Sequence, residues 1–134
     1  MVEKMPKILI TRRTFQEAED KLKQAGAEVV IWDDPDSPGY EELLKEVGDI
    51  DGLYAHITNQ VDGAVMDAAP DLKVITEFGV GYDNIDVDAA NKRGIAVCNT
   101  PGILSESTAD EAFALLMAMA RRTHDLPQLV KRGE

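Results

Sequence analysis

The sequence is poor in the residues that build disulfides and metal sites, since it has one cysteine, Cys98, and two histidines in 134 residues. A single thiol excludes an intrachain disulfide and a thiolate metal cluster. The longest apolar run, 112–120, has nine residues, far short of the roughly 20 that a membrane span requires. No basic-then-apolar signal segment opens the chain. We therefore expect a cytoplasmic protein that binds neither a metal nor a membrane.

Positive charge is also scarce, with 14 Lys and Arg against 25 Asp and Glu and a net charge of -11. This balance argues against a nucleic-acid surface, which requires clustered basic side chains. Apolar residues make up 44% and charged residues 29% of the chain, a composition typical of a globular protein.

Short β-branched segments alternate with helical patterns along the chain. We predict strands at 7–11, 28–32, 53–57, 73–76 and 95–98, and a last long helix at 108–122. Right-handed crossovers then give a flavodoxin-like, doubly wound, five-stranded parallel sheet in a three-layer αβα architecture. We assign 1–104 to this domain and 105–134 to an apolar interdomain or dimerisation helix followed by a short turn. Ligands in such folds bind at the carboxyl ends of the strands.

The loop after the fourth predicted strand reads Glu77-Phe78-Gly79-Val80-Gly81-Tyr82-Asp83-Asn84. Two glycines around Val80 allow consecutive N–H groups to face outward as an anion-binding nest, although glycine is also common in a simple tight turn. A dinucleotide site is excluded, because Asn84 stands where the third glycine belongs and no acidic residue follows about 20 positions later.

Three further positions are candidates. Asn99 brings an amide to the same edge of the sheet, and His56 lies near the end of the third strand, where it is either a ligand-facing or a structural histidine. Thr108 and Glu111 fit a capping box. The helix that they begin is apolar on every side, so we expect a second domain or another copy of the chain to cover it.

The order and spacing of several motifs resemble the D-isomer-specific 2-hydroxyacid dehydrogenases, especially the glyoxylate and hydroxypyruvate reductases. The resemblance rests on the segments 72–75, 79–86, 89–97, 99–102 and 108–116. It implies a domain that packs against a Rossmann domain in an enzyme that interconverts 2-keto and D-2-hydroxy acids with NAD or NADP.

The resemblance also implies roles for individual residues. The amides of Val80 and Gly81, with Gly79 beside them, would hold the substrate carboxylate, Asn99 would neighbour the substrate, and Thr108 would lie near the cofactor. The helix at 108–122 would pack between domains and subunits of a homodimer.

Two departures from the family pattern bear on the expected substrate. Phosphoglycerate-type members carry an arginine for the substrate phosphate at the position of His56, and a basic residue at the position of Glu77. Because both basic residues are replaced, His56 would face a small substrate without phosphate. The family would continue beyond Glu134 into a glycine-rich Rossmann motif and would supply the catalytic arginine, glutamate and histidine from there. We therefore assign no catalytic residue and no cofactor to this chain, and we expect it to be inactive alone.

The alternative is a stand-alone, non-enzymatic flavodoxin-like module that binds a small carboxylate or serves only structure and dimerisation. A flavin-binding version is disfavoured, because residues 11–15 after the first strand contain no glycine. A phospho-receiver is disfavoured as well, since no aspartate stands in Ala55-His56-Ile57-Thr58.

Overall fold

The structure is a computed structural model and describes residues 4–133. Two compact units make up the chain, one ending at Thr100 and the other beginning at Pro101. Each unit is described by itself.

The first unit is an α/β sandwich around one parallel sheet. The strands run in the order β2-β1-β3-β4-β5, and all four neighbouring pairs are parallel. This is the flavodoxin-like order, so the predicted fold class is confirmed. The elements are β1 (Lys7–Ile10), α1 (Gln16–Gln24), β2 (Glu28–Ile31), α2 (Tyr40–Glu46), β3 (Gly52–Ala55), α3 (Gly63–Asp67), β4 (Val74–Glu77), α4 (Val87–Arg93) and β5 (Ala96–Cys98).

One face of the sheet carries the hydrophobic core. Leu9, Leu53 and Ile75 lie side by side in register on β1, β3 and β4, and each is at most 1% exposed. Helices α2, α3 and α4 cover this row with apolar side chains that include Leu43 and Val65. Burial of each large side chain contributes about 1.5–3 kcal/mol, so this face fixes the register of the strands.

The opposite face is approached by α1, whose Leu22 lies beside Ile8 and Tyr54. Gly52 of β3 sits on this face, where a Cβ atom would come within 2.6 Å of Cδ1 of Ile8 and 3.3 Å of Cγ1 of Val74. A side chain at this position would therefore force the end of Ile8 to move, and glycine avoids this close approach.

Local signals in the sequence set the start of α3 and the end of α4, the helices that precede and follow β4 and its loop. Asp62 caps α3 by accepting hydrogen bonds from the N–H groups of Ala64 and Val65. Gly94 ends α4 in the left-handed conformation, with φ of 70°, as glycine does at many helix ends.

The second unit contains α5 (Ser105–Ala120) and α6 (Leu126–Arg132). The predicted start of the long helix at Thr108 and its capping box were wrong. Leu104 is the N-cap, no side chain caps the helix, and the N–H of Thr108 already donates to the carbonyl of Leu104 at 2.9 Å. Thr108 thus lies one turn inside the helix, because residues 105–107 continue the helical backbone toward the N-terminus.

No residue of α5 is buried within the described chain. Its large apolar side chains are exposed all along the helix: Phe113, Leu115, Leu116, Met117 and Met119. In residues 4–133, no helix combines the length and apolarity needed to cross a membrane.

Candidate functional site

The glycine-containing loop after β4 is held by the segment that follows β5. The carbonyl of Gly79 accepts a hydrogen bond from the N–H of Thr100 at 2.9 Å. The next carbonyl, that of Val80, accepts from Nδ2 of Asn99 at 2.8 Å. Both bonds join the loop to the same side of the sheet edge, which is the side of β5.

These two bonds also set the direction of the loop's N–H groups. In a trans peptide the N–H points opposite to the carbonyl of the same peptide unit, and none of the described peptide bonds is cis. The N–H groups of Val80 and Gly81 therefore point away from the segment that follows β5. Among residues 4–133 no acceptor takes a hydrogen bond from the N–H of Gly79, Val80 or Gly81. Two consecutive donors are thus available to an external anion.

A buried carboxyl group at the end of β4 forms a hydrogen bond with a residue of the loop. Glu77 is 0% exposed, its Oε2 accepts from Nδ2 of Asn84 at 2.9 Å, and its Oε1 has no partner among the described residues. Burial raises the pKa of Glu77, and the hydrogen bond from Asn84 opposes this in part. Asn84 also donates to the carbonyl of Asn59 at 3.0 Å, which ties the loop to the segment after β3.

His56 follows β3 and is held from both sides. Its backbone N–H donates to Oγ1 of Thr11 and to Oδ1 of Asn59, each at 3.0 Å. Its Nε2 lies 3.2 Å from Nη1 of Arg12. Its Nδ1 lies 2.9 Å from Oγ1 of Thr58 and accepts a hydrogen bond from the N–H of Thr58 at 3.4 Å. Burial and, second, the charge of Arg12 lower the pKa of His56, so the neutral ring is favoured.

A cleft of about 150 Å³ opens beside His56, at the carboxyl ends of β1, β3 and β4. Sequence reasoning missed most of its lining, because the loop after β1 contains no glycine and Tyr54 and Phe78 read as strand and turn residues. The lining residues are Arg12, Arg13, Thr14, Tyr54, His56 and Phe78.

The structure brings most of the sequence candidates to one edge of the sheet. Gly79, Val80, Gly81 and Asn99 are directly linked, and the carbonyl of His56 lies 3.5 Å from Nδ2 of the loop residue Asn84. Thr108 belongs to the second unit, where it is exposed on α5. Within the described part of the chain, no three His, Cys, Asp or Glu side chains are grouped as metal ligands would be.

The geometry agrees with a known protein family. The model of the D-isomer specific 2-hydroxyacid dehydrogenase catalytic domain matches residues 8–131. The chain belongs to this family. The resemblance inferred from the sequence is thereby confirmed.

Individual relatives support the same assignment. The glyoxylate reductase of Thermococcus litoralis is 45% identical over 129 residues, which are 96% of this chain and 39% of that protein. The crystal structure of the TT0316 protein from Thermus thermophilus superposes with a TM-score of 0.83 at 41% identity, covering 95% of this chain and 40% of that one.

A third relative was solved with ligands. It is the NADPH-dependent glyoxylate/hydroxypyruvate reductase from Sinorhizobium meliloti in complex with NADP and malonate, with a TM-score of 0.71 and 30% identity. The match covers 98% of this chain and 41% of that one. The chain thus spans about two fifths of the length of these relatives.

Proposed function

We propose that this chain is the substrate-binding half of an NAD(P)-dependent D-2-hydroxyacid dehydrogenase that acts on a small 2-oxo acid without phosphate, of the glyoxylate and hydroxypyruvate kind. The observation that carries the proposal is the pair of N–H groups of Val80 and Gly81, which face away from the segment that follows β5 and have no acceptor within the described residues. The names of the relatives support the same reaction class.

The proposed role of the loop is to anchor and orient the substrate carboxylate. Each N–H of Val80 and Gly81 would donate one charge-assisted hydrogen bond, which contributes about 1.5–3 kcal/mol. Association costs several kcal/mol in lost freedom of motion. A monocarboxylate held by these bonds alone should therefore bind with a dissociation constant in the millimolar range or weaker.

The residues of this chain do not complete the reaction. Bound nicotinamide cofactor supplies a hydride, and a proton must reach the carbonyl oxygen of the substrate. The pKa of His56 is lowered by burial and by the charge of Arg12, so the neutral ring is favoured over the protonated ring that a general acid requires. The loop after β4 does not fit a dinucleotide, because Asn84 replaces the third glycine and is bonded to Glu77. Thr108, exposed on α5, could add a contact to a cofactor held elsewhere.

A titration with oxalate, a stable dicarboxylate analogue of glyoxylate, tests the carboxylate site. We expect amide NMR shifts at Val80 and Gly81 that saturate in the millimolar range, while sodium chloride at equal ionic strength leaves both signals in place. We also expect no consumption of NADH or NADPH by this chain with glyoxylate. Unmoved amide signals at saturating oxalate would refute the carboxylate site, and turnover would refute the inactivity.

We further propose that a second copy of the chain covers α5 in a homodimer. The helix exposes Phe113, 65% of whose surface is accessible, and Met119, 80% accessible, and apolar patches of this kind mark protein interfaces. Sedimentation equilibrium should show a dimer that the change Phe113→Asp dissociates. The control Asp110→Asn, at an exposed polar position of the same helix, should leave the dimer intact, and a monomeric unmodified chain would contradict the proposal.

A further inference from the structure

Glu77 is a buried carboxyl group that has no cation beside it. It lies at the end of β4 and is 0% exposed, and no basic side chain of residues 4–133 forms an ion pair with it. By contrast, the carboxylate of Asp51, which is also buried, pairs with Nζ of Lys73 at 2.7 Å. A carboxylate that is removed from water without a cation is unfavourable, and such a group binds a proton instead.

Two buried acceptors on Glu77 and its partner Asn84 lack donors. Nδ2 of Asn84 donates to Oε2 of Glu77 at 2.9 Å and to the carbonyl of Asn59 at 3.0 Å, which uses both amide hydrogens. Oε1 of Glu77 and Oδ1 of Asn84 are buried, and neither accepts a hydrogen bond within the described residues. One proton on the carboxyl group would provide the missing donor.

A neutral carboxyl group and a primary amide can form two hydrogen bonds with each other. The amide N–H donates to one carboxyl oxygen, and a proton on the other carboxyl oxygen donates back to the amide oxygen. A proton on Oε1 of Glu77 would therefore satisfy Oε1 and Oδ1 of Asn84 at once, whereas ionised Glu77 leaves both without a partner. Burial raises the pKa of Glu77 in the same direction, although the hydrogen bond from Asn84 opposes this in part.

The titratable side chains on the elements around Glu77 do not replace this proton with a positive charge. Burial and, to a smaller degree, the charge of Glu77 itself raise the pKa of Tyr54 on β3. His56 after β3 favours the neutral ring, because burial and the charge of Arg12 lower its pKa. The acidic side chains of the loop and of the nearest helix starts are Asp62, which caps α3, Asp83, which is exposed, and Asp86, which caps α4.

The carboxyl group of Glu77 is also close to the proposed carboxylate site. A Cβ atom on Gly79 would lie 3.6 Å from Oε1 of Glu77, and the next peptide unit carries the N–H of Val80. Standard bond lengths and one hydrogen bond then place a carboxylate bound at Val80 within about 10 Å of Oε1. Repulsion between two negative charges at this distance weakens binding about twofold in water and about twentyfold at the effective dielectric constant of a protein surface.

We propose that Glu77 is a positioning residue that holds a proton between its Oε1 and Oδ1 of Asn84, and that loss of this proton to solvent as pH rises weakens carboxylate binding by the loop. This inference rests on the proposed function, because it takes the carboxylate to be bound by Val80 and Gly81. The neutral pair keeps the loop joined to the segment after β3 through the bond from Asn84 to Asn59. By linkage, a bound carboxylate favours the protonated form of Glu77 in return.

The test follows the proton and the ligand separately in the whole chain, from about pH 5.5 to about pH 9, where oxalate stays ionised. The carbon-13 NMR signal of the Glu77 carboxyl group should titrate at a higher pH than an ordinary glutamate, and saturating oxalate should move this titration higher still. Over the same range, amide shifts of Val80 and Gly81 should give a dissociation constant for oxalate that rises about twofold to twentyfold as Glu77 ionises.

Two variants assign this pH dependence to one carboxyl group. Glu77→Gln stays neutral, and its amide can form the same two hydrogen bonds with Asn84, so the rise in the dissociation constant should disappear, while any contribution from His56 persists. Asp83→Asn is the matched control, because it removes an exposed carboxylate of the same loop. It should keep the rise.

The outcomes separate this inference from the function on which it rests. Titration of Glu77 in the ordinary range of glutamate would overturn the pair with Asn84, and this measurement uses the unmodified chain, so it does not depend on the folding of a variant. A rise in the dissociation constant that is absent, or that survives in Glu77→Gln, would overturn the link to binding. Amide signals of Val80 and Gly81 that oxalate leaves unmoved at every pH would instead refute the carboxylate site, and a high titration of Glu77 would then still support the pair.

Discussion

Asn99 should control the orientation of one amide in the carboxylate site. Its Nδ2 donates to the carbonyl of Val80 at 2.8 Å, and that carbonyl belongs to the same peptide unit as the N–H of Gly81. The orientation of the Val80 N–H depends instead on the bond from Thr100 to Gly79. The change Asn99→Ala should therefore loosen the Gly81 N–H and leave the Val80 N–H in place.

The magnitude follows from the loss of one hydrogen bond. A neutral hydrogen bond contributes about 1 kcal/mol, so the dissociation constant for oxalate should rise about fivefold in Asn99→Ala. Amide NMR should show faster hydrogen exchange and a smaller oxalate-induced shift at Gly81, with the shift at Val80 retained. Asn91→Ala, at an exposed position on α4, is the matched control.

Two results would refute this reasoning. An unchanged affinity for oxalate would mean that the loop holds its shape without Asn99. An equal loss at Val80 and Gly81, with no change in the ligand-free protein, would mean that Asn99 contacts the ligand directly instead of positioning the loop.

Three further predictions concern residues in or near strands β3 and β4. Because burial raises the pKa of Glu77 above its ordinary 4.5, the folded protein loses stability as pH rises from that value past the raised pKa. Glu77→Gln should therefore increase the free energy of unfolding in urea more at pH 8 than at pH 4, and an equal effect at both would contradict the buried charge. Asp62→Ala, which removes the cap of α3, should lower the free energy of unfolding by about 1–2 kcal/mol, and Asp62→Asn should lower it by less. Since the hydrogen bond from Val65 lowers the pKa of Asp62, the cost of Asp62→Ala should shrink as pH falls through that lowered pKa, and a cost independent of pH would be inconsistent with the cap. Gly52→Ala should lower the free energy of unfolding by about 1–3 kcal/mol, measured by thermal or urea unfolding. The loss should be smaller in an Ile8→Val background, because that change removes the Cδ1 atom that would lie 2.6 Å from the new Cβ. Equal losses in both backgrounds would exclude the clash.

The sheet could be predicted because its determinants are local. β1, β2 and β4 are short runs rich in β-branched residues, helical patterns separate the strands, and right-handed crossovers leave few possible orders. The end of α4 is local as well, since the left-handed φ of 70° at Gly94 is a property of one residue. The glycine-containing loop was also found from its own composition and its place after a strand.

The start of α5 was missed because a capping box is a weak local signal. Thr108 and Glu111 have the right spacing, but Ser105, Glu106 and Ser107 are compatible with helix too, and the helix extends over them. The sequence pattern does not decide between two starts one turn apart.

The cleft was missed because its members are distant in the sequence. Arg12 and His56 are 44 residues apart and meet only because β1 lies beside β3. Tyr54 and Phe78 stack because Tyr54 pairs with Thr76 in the register of β3 and β4. Pairings of this kind depend on tertiary packing, for which a single sequence carries no direct signal.

In the proposed carboxylate site, main-chain N–H groups bind the ligand, so the side chains of the loop are not needed to anchor it. Every residue except proline has a peptide N–H, so substitution of Val80 leaves the proposed anchor intact. The side chain of Val80 is 44% exposed and is free to change in size or charge. Single substitutions at this position could therefore change ligand preference among relatives, while the main-chain hydrogen bonds to the carboxylate stay the same.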